Sequence, residues 1–143
     1  MKVMIALDES DYSRQVVTKM SQRHWPEGCQ FKLLTVVEPL EVTDETRHAE
    51  VLSEIQEHRL EAARQFLSRS REELESVAGS NVHFEIREGR PVDQIVDSAV
   101  EWEPERLILG ARGGSAGHTR AALGNVSRSA ALYSPCTVEI VRV

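Results

Sequence analysis

Arg106-Leu107-Ile108-Leu109-Gly110-Ala111-Arg112-Gly113-Gly114 is a short apolar run that passes without a break into a glycine-rich turn. A run of this length, bounded by Pro104 and by glycines, suits a strand buried on both faces, as strands of parallel sheets are. After a polar segment, Leu123-Gly124-Asn125-Val126-Ser127 puts another glycine in the first turns of the next helix, expected over 120–132. Strand, glycine turn and helix together make a candidate cradle for an anion.

The same alternation extends outward in both directions. Downstream, 137–143 reads as a last strand. Upstream, Gly89-Arg90-Pro91 opens a helix with Pro91 in its first turn and Ile95, Val96, Ala99 and Val100 on its inner face, stopped by Pro104. Residues 82–87 alternate as a strand does. Before them, Leu52, Ile55, Ala63, Phe66, Leu67, Leu74 and Val77 recur at helical spacing, so 51–77 reads as one long amphipathic helix ended by Gly79. Segment 41–50 is an acidic connection that becomes helical after Asp44, and Pro39 closes a strand at 31–37. The chain begins with a strand at 2–7 and a helix at 10–24 carrying Val16, Val17 and Met20 inward. Five strands alternating with four helices demand crossover connections, which make the strands parallel and cover both sheet faces with helices.

Size and composition narrow the function. A chain of 143 residues fits one domain over 1–143, and its apolar runs are strand-length, too short for a membrane span. A net charge of −6 with no basic, aromatic-interleaved stripe argues against nucleic acid as a partner. Asp8 interrupts the first apolar run before a secretory core can form, so a cytoplasmic location is expected. Cys29 and Cys136 stand apart and read as reduced core thiols, and His24, His48, His58, His83 and His118 show no metal-ligand spacing.

In open α/β sheets a ligand binds past the carboxyl ends of the strands, where strand order reverses. That rule selects the residues after the first and fourth strands, Asp8 and 110–114. Gly110, Gly113 and Gly114 allow backbone N–H groups to converge on an anion, and a helix N-terminus beside them adds donors and a partial charge worth about 0.3–2 kcal/mol. Arg112 could add a charged fork. The glycines could equally serve only a tight strand-to-helix passage. They fit neither a Walker A pattern nor the dinucleotide fingerprint. Asp8 could accept from a ribose hydroxyl or hold magnesium through water; it could also cap the following helix, since Asp8-Glu9-Ser10-Asp11 is dense in capping residues.

The opening Ile5-Ala6-Leu7-Asp8-Glu9-Ser10, the strand Leu33 to Glu38 with Pro39, the turn Gly89-Arg90-Pro91, the run Leu107 to Gly113 and the ending from Leu123 through Arg142 together resemble the universal stress protein family. The resemblance covers essentially the whole chain. It implies an open, doubly wound α/β fold with a five-stranded parallel sheet of order 3-2-1-4-5, binding ATP or a related adenine nucleotide. By the same likeness Ala6, Leu7 and Asp8 line the nucleotide with Asp8 at the ribose, and the Val36 backbone meets the adenine edge. Gly110, Ala111, Arg112, Gly113 and Gly114 then form the cradle, with Gly124, Asn125, Val126 and Ser127 at the phosphates.

Two departures mark this chain. Ten residues separate Gly113 from Gly124 where the family has nine, and Asn125 stands where the family has Ser or Thr. Loss of one hydroxyl bond to a phosphate costs about 1.5–3 kcal/mol, so weakened binding is expected. No catalytic pair is evident, and the expectation is a ligand-binding protein, not an enzyme. The strand 137–143 would lie at a sheet edge and pair with its copy in a homodimer, unless Glu139 and Arg142 protect that edge. The alternative is a nucleotide-free family member working as a protein-interaction dimer.

Overall fold

A computed structural model describes residues 1–40, 49–79, 81–112 and 123–143. The chain runs β1 (Lys2–Ala6), α1 (Asp11–Gln22), β2 (Gln30–Val37), α2 (Ala49–Ala78), β3 (Val82–Glu88), α3 (Pro91–Trp102), β4 (Arg106–Gly110), α4 (Asn125–Tyr133), β5 (Thr137–Val141). All five strands pair in parallel in the order β3-β2-β1-β4-β5, the expected topology.

The central strand fixes the two cores. Val3 and Ile5 of β1 face the same side as Phe31, Leu33 and Ile108, and pack under Val16, Val17 and Met20 of α1 and Phe66, Leu67 and Leu74 of α2. Met4 and Ala6 face the other side with Leu34, Leu107 and Leu109, against Ile95 of α3 and Ala130 of α4. The two-residue period of β1 therefore serves both layers. No helix among the described residues is long and apolar enough to cross a membrane.

Several boundaries and faces differ from the sequence expectation. In α2 the buried stripe is Ala63, Phe66, Leu67, Ser70 and Leu74, while Ile55 and Val77 are 43% and 44% exposed. A helix of 30 residues is about 45 Å long and the 7-residue β3 about 23 Å, so the helix outruns the sheet and leaves both end turns in solvent. Val100 is 57% exposed because Ile95, Ser98 and Ala99 already complete the inner face of α3, and Val100 falls one residue, about 100°, beyond it. Helix α4 starts at Asn125, not at 120, with Gly124 as its N-cap. β5 ends at Val141, short of 143.

Glu139 of β5 holds this edge to its neighbours. Its carboxylate accepts from both Arg23 terminal nitrogens, at 3.0 and 2.6 Å, and from Arg106 of β4 at 3.2 Å. The Arg23 bonds hold its carboxyl below the ordinary carboxylate value although partial burial opposes them. A depressed folded pKa contributes stability above the unfolded pKa, and that contribution is lost as pH falls through the folded one. Glu139→Gln is expected to lower stability at neutral pH by about 1 kcal/mol. In urea titrations the gap to the wild-type chain should close in acid; a gap independent of pH would reject this account.

Candidate functional site

β1 stops at Ala6 while β2 continues to Val37 and β4 to Gly110, so a crevice opens between the two flanking strands at the reversal of strand order. It holds a pocket of about 480 Å³. Of the residues named from sequence, Ala6 at the end of β1 lines it with Leu7 and Asp8 just beyond, Val36 from β2, and Gly110 at the end of β4 with Arg112 beyond it. Gly124, Asn125, Val126 and Ser127 close it with the start of α4. Gly113 and Gly114 lie outside the described residues, as do His118 and most of the acidic connection.

The β1–α1 loop is organised by one carboxylate oxygen. Asp8 Oδ1 accepts from the Ser10 N–H at 2.9 Å, from the Ser13 hydroxyl at 3.0 Å and from the Ser10 hydroxyl, while the Asp8 N–H donates to Ser13 Oγ at 2.9 Å. The N-cap of α1 is Ser10, whose oxygen accepts from the Ser13 N–H at 3.2 Å. Asp8 is thus not the cap. It braces the residue that is, and still contributes to the pocket wall.

At the opposite wall, α4 begins without side-chain capping. Gly124 has no side chain to accept from the first turn, and residues 124 to 127 line the pocket, so the positive end of the helix lies at that wall. Asn125 is exposed at the rim and does not fill the hollow.

Two of the named residues, Ala111 and Ser127, bond to backbone groups. Ala111 is fully buried and does not line the pocket: its N–H donates to the Val141 carbonyl at 2.8 Å, and its carbonyl accepts from the Gly124 N–H at 2.7 Å. Ser127 is buried, and its hydroxyl donates to the Ala111 and Gly124 carbonyls, both at 3.1 Å. That hydroxyl braces the start of α4 against the end of β4 while Ser127 also lines the pocket.

On β2 the strand geometry orients Val36. The Leu7 N–H donates to the Leu34 carbonyl at 2.8 Å, so Leu34 presents its backbone groups toward β1. Two residues on, Val36 presents its own N–H and carbonyl the same way, past the last residue of β1. A donor and an acceptor side by side face the pocket there.

Sequence reasoning missed Ser13, Glu38, Arg59, Pro91 and Ile95, which also line the pocket. Arg59 arrives from α2 and donates to the Glu38 carbonyl at 2.7 Å, closing the end beside β2. Among the described residues no group of three or more His, Cys, Asp or Glu could hold a metal directly.

Fold and crevice define a doubly wound α/β architecture with a pocket at the strand-order reversal, the place where sheets of this kind bind ligands. The chain belongs to the Universal stress protein family, whose model matches residues 1–142. It is 38% identical over 64 residues to a universal stress protein of Methanothermobacter thermautotrophicus, a match covering 43% of this chain and 42% of that relative. The structure of universal stress protein UspA from Lactobacillus plantarum superposes with a TM-score of 0.82 at 22% identity, over 99% of this chain and 97% of that one. An Arabidopsis thaliana family protein with AMP bound superposes at 0.70 and 16% identity, over 99% and 91% of the two chains. An Archaeoglobus fulgidus universal stress protein in complex with dAMP does so at 0.62 and 19%, over 98% and 96%.

The brace formed by Ser127 has a measurable weight. Ser127→Ala removes a buried hydroxyl bond while the Ala111 carbonyl keeps its bond from Gly124, and is expected to cost about 1 kcal/mol in urea unfolding. An unchanged midpoint would show that the hydroxyl carries no such bond.

Proposed function

We propose that this chain binds an adenine nucleotide in the crevice past β1 and β4, as a regulatory ligand in stress response. The observation that carries this reading is the uncapped N-terminus of α4 facing a pocket of about 480 Å³, a volume within the range of small-molecule sites. AMP and dAMP bound to family members support the choice of ligand class.

In this reading the phosphates lie against the start of α4, with Arg112 beside them. The Val36 N–H and carbonyl match the acceptor and donor on the adenine edge, and Asp8 serves the ribose or, through water, a magnesium ion. In this reading the nucleotide acts as a signal, and any hydrolysis is slow and incidental. Asn125 offers an amide N–H where a hydroxyl would bond more closely, which sets the affinity low.

Calorimetric titration of the purified chain with ATP and AMP tests the reading: saturable binding is expected, and Asn125→Ser should tighten it by about tenfold. No binding of either nucleotide would favour the nucleotide-free interaction protein instead.

We also propose that β5, the edge strand, pairs with its copy in a homodimer, because Val138 and Ile140 leave an apolar edge partly open. Sedimentation at micromolar concentration should find the dimer. A monomer there would reject it.

A further inference from the structure

Tyr12 stands in the first turn of α1, just after the loop organised by Asp8, and touches both the tip of β4 and the end of β5. Its ring lies so close to Gly110 that a Cβ at that position would fall 2.9 Å from Tyr12 Cδ1 and 3.1 Å from Cε1. Glycine at 110 is what admits the ring. The Arg112 guanidinium carbon sits 5.6 Å from the ring centroid, within cation–π range. The phenolic oxygen accepts from the Val143 N–H at 3.3 Å and donates to the Val141 carbonyl at 3.4 Å, which fixes the ring from behind.

We propose that Tyr12 is a positioning residue of the nucleotide site, its ring serving as the platform that holds the Arg112 guanidinium at the phosphate end of the pocket. The proposal rests on the nucleotide reading above. The physical case turns on how a cation can be held without being neutralised. A carboxylate partner would cancel the charge of Arg112 and occupy its N–H donors before an anion arrived. A ring attracts the cation through its quadrupole and leaves the in-plane N–H groups and the full charge for the ligand. Ion pairs among the described residues engage other cations: Arg14, Arg23, Lys32, Arg64, Arg71, Arg87, Arg90 and Arg106.

Because the platform acts only through Arg112, it should matter for AMP and not for adenosine, which lacks the phosphate. Both ligands are titrated into the full chain and its variants. Tyr12→Phe keeps the ring and should leave both affinities within about twofold of wild type. Tyr12→Leu fills the space without a quadrupole and should weaken AMP by about fivefold while adenosine binding holds. Arg112→Ala should weaken AMP by about tenfold, and adding Tyr12→Leu to it should cost less than about twofold more, because the platform then has nothing to hold. Tyr12→Met replaces the leucine variant if that chain does not fold, with the same expectation. Equal loss of AMP and adenosine would reduce Tyr12 to packing and overturn the proposal, as would multiplicative losses in the double variant. A wild-type chain that binds neither ligand removes the nucleotide reading and the proposal with it; one that binds AMP while the two effects multiply removes the proposal alone.

Discussion

The peptide unit around Ala111 is the joint on which the rest of the site depends. One residue past the end of β4, its N–H bonds to the end of β5 and its carbonyl receives both the Gly124 N–H and the Ser127 hydroxyl at the start of α4. Three elements meet at this residue, whose methyl side chain is fully buried. An orphaned carbonyl at such a point would cost about 1–3 kcal/mol, so the bonds that satisfy it also dictate where α4 begins. The positive end of α4 is therefore aimed at the crevice by backbone bonds. Side chains at the rim, Asn125 among them, can change without moving it.

The fold was legible because its signals are local and repeat along the chain. Two-residue and helical periodicities separate cleanly, and crossover logic turns their alternation into a parallel sheet with covered faces. The location of the crevice was legible for a topological reason, since β1 ends between two strands that both run past it, and that makes a crevice whatever its residues are. The extent of α2 inward was not. Ile55 and Val77 carry an apolar signal, yet the sheet they would cover is shorter than the helix, and relative length is a property of the assembled layers.

Individual roles within the site were harder to read than its position. Asp8, Ser10 and Ser13 offer interchangeable oxygens within one loop, and only geometry shows that Ser10 caps α1 while Asp8 Oδ1 gathers the donors around it. Ala111 and Ser127 carry the right spacing for ligand contacts but turn toward backbone partners that come from β5 and from the helix start. Arg59 had no signal at all, because it is one of many charged residues on a solvated helix and becomes a wall residue only where α2 crosses the end of β2. Where partners are distant in sequence, spacing is silent.

An acidic chain can still present a site suited to an anion, and the reason is one of range. The net charge of −6 acts over the whole surface, but exposed charges are screened beyond about 8–10 Å at physiological ionic strength. Within the crevice the relevant field comes from groups at bonding distance: the first turn of α4, Arg112 on the Tyr12 ring and Arg59 at the far end, set against the acidic Asp8 and Glu38 on the same lining. Backbone donors of this kind carry no net charge, so they attract an anion at contact without drawing polyanions from afar. Net charge and local donor geometry thus act over different ranges, and an acidic chain is no argument against a small anion in a donor-lined hollow.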